Sequence, residues 1–248
     1  MKILTARIWQ AWLAWVFRKQ RVIVITGLRR SGNHACIEWI CNALEDRAVE
    51  FSPIGRSVFL SKTARTLHFN EVNWDGPLEF ARRLRLHKAA IRESGFVIIS
   101  LEDYLIEPSS PYVPKRATLV LINRTLENVI ASRLTYATKQ AALGLDRGDM
   151  RVDEHLMETA QWLEQTEGPN ILRWDYDLWF LNEGSYRRDF LASLGLATDI
   201  SPKISRHGGG SSFSNESLGS GQNDPLDRAK GVEWPDRIKT LLATYQKT

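Results

Sequence analysis

Between Gly27 and His34 the chain reads Gly27-Leu28-Arg29-Arg30-Ser31-Gly32-Asn33-His34, a turn dense in hydrogen-bond donors. It follows the apolar run Val22–Thr26 and precedes a stretch of helical spacing that starts at Asn33. A strand, a tight glycine-bounded turn and a helix, in that order, aim backbone N–H groups and a helix N-terminus at one point, which suits a phosphate. Arg29, Arg30 and Ser31 add charged and neutral donors. The spacing from Gly27 to Gly32 matches the start of a P-loop, but Asn33-His34 stand where the triphosphate-binding version has Lys-Ser/Thr. The lysine that meets the β/γ-phosphates and the hydroxyl that meets magnesium are both missing. The loop therefore fits an anionic nucleotide that is not handled as a magnesium–triphosphate complex.

A second segment, Thr118–Asn123 and then Arg124 to Ser132, repeats the logic of strand into helix. An arginine at the carboxyl end of a strand can fork onto a phosphate. Ser132, eight residues beyond Arg124, lies about two helical turns on and can face the same crevice. Ligands of open α/β sheets lie at the carboxyl ends of the strands.

The two segments together resemble sulfotransferases that use PAPS (3′-phosphoadenosine 5′-phosphosulfate). Arg30-Ser31-Gly32 resembles the family's 5′-phosphosulfate loop, and Arg124 with Ser132 resembles its 3′-phosphate segment, in the family's order. The resemblance spans roughly residues 21–235. It implies a three-layer α/β/α fold with a central parallel sheet, like the P-loop NTPases. It implies PAPS as donor, PAP as product, no metal requirement, and a small-molecule or carbohydrate acceptor. It places Arg29, Arg30, Ser31, Gly32, Asn33 and His34 around the 5′-phosphosulfate, with Arg30 steadying the leaving group. Asn33-His34 depart from the family's usual hydroxyl residues.

The family also closes a basic, glycine-containing C-terminal loop over the nucleotide. Two segments compete for that place. One is Arg206 with Gly208, Gly209, Gly210, Ser211 and Ser212; the other is Arg228-Ala229-Lys230-Gly231. The family's general base is a histidine or glutamate at the end of the strand preceding the 3′-phosphate segment. Here Phe96–Leu101 ends in Glu102-Asp103, and Glu102 stands 22 positions before Arg124. Glu102 is the expected base, Asp103 its rival, and His68 with Glu71 a third choice.

These residues need a scaffold. The chain has 248 residues, 43% of them hydrophobic, enough for one sizeable core. Helices are expected over 33–44, 77–93, 126–140, 153–165, 185–194 and 235–246, and strands over 22–26, 48–52, 96–101, 118–123 and 170–174. Strands alternating with helices imply a parallel sheet covered on both faces. Residues 55–74 read as irregular, and 201–225 as a long polar loop rich in Gly and Ser, of the kind that forms a lid or a flexible linker. The domain spans 21–248, after an amphipathic helix over 1–20.

That first helix is basic and rich in tryptophan, and too short and interrupted to span a bilayer. Residues 2–17 can lie on a membrane surface, or pack on the domain or a second subunit; packing is favoured. The net charge of +4 suits an anionic cofactor and gives no nucleic-acid-binding tail. Cys36 and Cys41 read as buried apolar residues of a reducing, cytoplasmic compartment. Two rival functions remain: a magnesium-dependent P-loop kinase, and a non-catalytic protein holding anionic glycans or lipids through the Arg-rich face of helix 77–93.

Overall fold

A computed structural model describes residues 2–48, 50–107, 109–145, 150–181, 185–196 and 226–245, with side chains from residue 7 onward. Helix α1 (Lys2–Val16) leads into strand β1 (Arg21–Gly27) and helix α2 (Asn33–Glu45). Three short strands follow, β2 (Phe51–Gly55), β3 (Val58–Ser61) and β4 (Thr66–Phe69), then helices α3 (Gly76–Leu86) and α4 (Lys88–Glu93). Strands β5 (Phe96–Glu102) and β6 (Thr118–Asn123) precede helices α5 (Leu126–Ala141) and α6 (Glu154–Gln165). Strand β7 (Ile171–Asp175) and helices α7 (Tyr176–Leu181), α8 (Tyr186–Ser193) and α9 (Asp236–Tyr245) complete the described chain.

The strands form one seven-stranded sheet in the order β2-β3-β4-β5-β1-β6-β7. From β4 to β7 every pairing is parallel. Alternate residues of the central strands face opposite cores. Val24, Val97, Ile99, Leu119 and Leu121 join a core built with α1, α3, α4, α5, α6 and α9. Ile23, Ile25, Ile98, Val120 and Ile122 join another built with α2, α7 and α8. Burial on both faces is why these strands read as continuous apolar runs. Each fully buried aliphatic side chain contributes roughly 1.5–3 kcal/mol.

The sheet order reverses at β1, which lies between β5 and β6. The crevice outside the carboxyl ends at such a reversal is where doubly wound sheets bind ligands. The chain after β4, β5, β1 and β6 therefore emerges on one rim.

Three expectations are corrected. The sheet is mixed, because β2, β3 and β4 pair antiparallel as a meander at one edge. Those strands occupy much of the segment expected to be irregular. Each of β3 and β4 has only four residues, too few for a period to register, and Pro53 sits in the outermost strand, where no ladder donor is lost. The single helix expected over 77–93 is two, broken at His87, whose backbone leaves the helical region (φ −100°, ψ 23°). Helix α1 packs on the domain, the favoured of its expected placements. Leu13 and Phe17 enter the core, Trp9 Nε1 donates to the Pro111 carbonyl at 2.6 Å, and Gln10 Nε2 donates to the Ser110 carbonyl at 2.7 Å. Among the described residues no helix is long and apolar enough to cross a membrane.

Candidate functional site

The turn after β1 is shaped by two glycines for different steric reasons. A Cβ on Gly27 would lie 2.7 Å from both Asn33 Oδ1 and Ile122 Cβ. Gly32 has φ 106°, and a Cβ there would lie 2.3 Å from the Tyr176 ring. The turn can therefore nestle between β6 and α7 only if both positions lack a side chain. Helix α2 starts directly after it, and its first-turn N–H groups, those of Asn33 and His34 among them, have no carbonyl partner inside the helix.

Arg30 is itself left-handed (φ 76°), and so are Glu71 (φ 48°) and Asp103 (φ 50°) on the neighbouring loops. Non-glycine residues in that region cost of order 1–3 kcal/mol each and concentrate at ligand clamps and active sites. Three of them meet on one rim of this sheet.

The consecutive arginines of the turn point opposite ways. Arg29 enters an acidic half. Its Nε donates to Glu102 Oε2 at 2.7 Å, its Nη2 to Glu71 Oε2 at 3.2 Å, and its guanidinium lies 4.6 Å from the centroid of the Trp74 ring. Glu102 is buried at the end of β5, and its other oxygen, Oε1, accepts from Asn33 Nδ2 at 2.7 Å. Asn73 grips the Glu102 backbone from both sides: Glu102 N–H donates to Asn73 Oδ1 at 3.1 Å, and Asn73 Nδ2 donates to the Glu102 carbonyl at 2.8 Å. Glu71 sits beyond the end of β4, and its carboxyl is pushed above the ordinary carboxylate range by burial first and by the Glu102 charge second. His34 Nε2 lies 3.9 Å from Glu71 Oε1.

Arg30 enters a basic half. Its Nε donates to Ser132 Oγ at 3.3 Å, and its guanidinium lies 5.0 Å from the centroid of the Tyr136 ring. Arg228 reaches the same hydroxyl from the C-terminal segment, its Nη1 donating to Ser132 Oγ at 3.2 Å. Arg124, at the end of β6, donates through Nη1 to the Arg30 carbonyl at 3.0 Å and lies 4.3 Å from the centroid of the Tyr176 ring. All three guanidinium groups have lowered pKa values, with burial the leading cause. Arg228 is pushed down to about 10, by burial and then by repulsion from Arg124 and Arg30. Helix α5 fixes the C-terminal segment: Asn128 Nδ2 donates to the Leu226 carbonyl at 2.6 Å, and Ala229 N–H donates to Asn128 Oδ1 at 2.9 Å.

The structure brings together Arg29, Arg30, Ser31, Gly32, Asn33, His34, Glu102, Asp103, Arg124 and Ser132, but gives them unequal places. Ser31 and Asn33 are buried beneath the turn, where Ser31 Oγ donates to Asn33 Oδ1 at 3.1 Å, so their side chains brace the loop from inside. Asp103 Oδ1 accepts from the Arg29 N–H at 2.8 Å and from Arg133 Nη2. Of the two C-terminal candidates, Arg228 is at the site, while Arg206, Gly208, Gly209, Gly210, Ser211 and Ser212 lie outside the described residues.

Sequence reasoning missed Arg133. It is buried in α5, and its Nε donates to the Arg29 carbonyl at 3.1 Å while Nη1 donates to the Arg151 carbonyl at 3.1 Å. An arginine on the helix face that also carries Val129 and Ile130 was the available signal. His34, Glu71 and Glu102 also form a group with ligand atoms within 4.8 Å of one another, which a divalent cation could join. Arg29 already supplies positive charge to both of its carboxylates.

No protein-family model matches this chain, and neither does any curated protein or solved structure.

Proposed function

We propose that this protein is a PAPS-dependent sulfotransferase built on a P-loop-like α/β scaffold. One observation carries the reading. Arg30, Arg124 and Arg228, from three distant parts of the chain, lie half-buried side by side despite mutual repulsion, Arg30 and Arg228 on Ser132 and Arg124 on the Arg30 carbonyl. A ligand with a dianionic phosphate relieves that repulsion and accepts charge-assisted hydrogen bonds from the forks. The 3′-phosphate of PAPS is such a group. Its 5′-phosphosulfate belongs at the turn, on the N–H groups that open α2 and on Arg30.

In this reading the acceptor hydroxyl or amine attacks sulfur in line with the departing 5′-phosphate oxygen. The bond from the acceptor to sulfur forms as the sulfur–oxygen bond to the nucleotide breaks, releasing PAP. The acceptor's proton passes to a carboxylate of the acidic half. Glu102 accepts at 2.7 Å on both oxygens, from Arg29 and Asn33, whereas Glu71 accepts at 3.2 Å on both, from Arg29 and Asn70, and is the more exposed of the two. Glu71, held less closely and with its carboxyl pKa raised by burial and by the Glu102 charge, is the proton acceptor in this reading. Arg29 links the two halves through the adjacent Arg30.

A second reading, a metal-dependent phosphotransferase, draws on the convergence of His34, Glu71 and Glu102. The missing P-loop lysine and hydroxyl weigh against it. Transfer of labelled sulfate from PAPS to a panel of sugars, phenols and amines, with chelator present, tests the proposal. Sulfation under chelator supports it; phosphorylation from ATP that needs magnesium contradicts it.

A further inference from the structure

A cavity of about 300 Å³ opens where the end of α1 meets α3 and α4. Gln20, next to the first residue of β1, and Arg92, just before β5, both line it. It therefore sits at the amino ends of the strands, across the sheet from the candidate active site.

The lining is one-sided in charge. Arg18, Lys19, Arg85, Lys88 and Arg92 surround the cavity, and none of the lining residues is acidic. Leu84 and Ile91 give it a buried apolar floor. Trp12 and Trp15 form one wall, with Trp15 51% exposed. Arg18 and Lys88 stand 5.2 and 5.8 Å from the Trp15 ring centroid. Along the outer face of α1, Arg7, Ile8, Ala11, Trp15 and Arg18 recur at helical spacing and are exposed, while Leu13 and Phe17 hold the inner face in the core.

We propose that this end of the molecule docks on a phospholipid bilayer bearing anionic headgroups, with one headgroup phosphate entering the cavity. Cations at the rim meet the phosphates, where each contributes to surface attraction. An indole has an apolar body and a single N–H donor, so half-exposed Trp15 fits the interface between headgroups and acyl chains. Ile8 and Ala11 extend the apolar contact along α1, which lies in the interface plane without crossing it. A protein of any composition could meet an apolar patch. Five cations with no acid among them select an anionic surface. The proposal does not depend on the sulfotransferase reading, since the two sites lie at opposite ends of the sheet.

The test is co-sedimentation of the full chain with phosphatidylglycerol–phosphatidylcholine vesicles and with phosphatidylcholine vesicles alone, at low and high salt. Binding is expected only to the anionic vesicles, weakening as salt rises. Replacing Arg85→Glu and Lys88→Glu together should weaken it roughly 25-fold or more, from about fivefold per cation. Trp15→Ser, half-exposed and tolerant of change, should weaken it independently, with far-ultraviolet circular dichroism and a cooperative urea transition like the wild type's reporting that each variant is folded. Equal binding to neutral vesicles, no binding to anionic ones, or full binding by the variants would overturn the proposal. So would soluble glycerol phosphate binding as tightly as vesicles, which would make the cavity a small-molecule site. A dimer dispersed by these same substitutions would give the face to a second copy and overturn it too.

Discussion

Arg29 and Glu102 join the two central loops of the crevice, with Arg29 Nε donating to Glu102 Oε2 at 2.7 Å. The parallel register of β1 on β5 sets Gly27 opposite Glu102, so the pair forms wherever the two strands are correctly aligned. A buried carboxylate paired in this way holds the turn in place, and removing one partner leaves the other charged and uncompensated.

Arg29 also reaches Glu71, at 3.2 Å, and the closer grip on Glu102 separates the roles of the two glutamates. Glu71→Gln should lower turnover by about 10²–10⁴-fold, the range of a lost general base, and remove the acidic limb of the pH–rate profile. Glu102→Gln keeps the shape but weakens the hold on Arg29 and Asn33, so it should lower turnover while leaving that limb in place. A limb that disappears with Glu102→Gln and persists with Glu71→Gln would exchange the two assignments. Nucleotide affinity, read by calorimetry, should change little in either variant.

Arg133 is predicted to be a structural support of the turn. Its guanidinium binds the Arg29 and Arg151 carbonyls and Asp103 while almost wholly buried. Arg133→Met should cost about 3–5 kcal/mol in urea unfolding, the penalty for stranding a buried partner. The double variant with Asp103→Asn should recover part of that loss. A cost below about 1 kcal/mol, the level of an exposed pair, would contradict the role.

Glu71 also predicts a pH dependence of stability. Its carboxyl is raised in the folded state by burial and by Glu102, so the folded protein holds this proton more tightly than the unfolded chain. The stability it contributes is present at acid pH and is lost as pH rises from the unfolded value, about 4.3, through the higher folded one. Wild type should therefore lose stability relative to Glu71→Gln across that window, then run parallel above it. A difference that moves the other way in pH-dependent unfolding would contradict this.

The elements that build the crevice were legible because their signals are local. Strand β1, its glycine turn and α2 follow from a buried run, a turn spacing and a helical period, and Arg124 and Ser132 follow from position alone. What the sequence hid was direction. Nothing in Arg29-Arg30 says that one side chain turns to the carboxylates and its neighbour to Ser132; the left-handed backbone at Arg30 separates them. Ser31 and Asn33 read as ligand donors, but their side chains are spent bracing the turn. Arg133 left only a faint signal, its place on the face of Val129 and Ile130, because a buried cation inside a helix has no sequence period of its own. The antiparallel edge was hidden because β3 and β4 are shorter than a resolvable alternation. That Arg228 reaches the crevice depended on a contact across 96 residues, to Ser132.

The most direct test of the central claim is calorimetric binding of 3′,5′-ADP, compared with 5′-AMP and with ATP plus magnesium. Metal-independent binding of the bisphosphate is expected. Its advantage over 5′-AMP should fall by about 1.5–3 kcal/mol in Arg124→Ala and in Arg228→Ala, the range for a charged hydrogen bond. Equal affinity for 3′,5′-ADP and 5′-AMP, or binding only of ATP with magnesium, would contradict it.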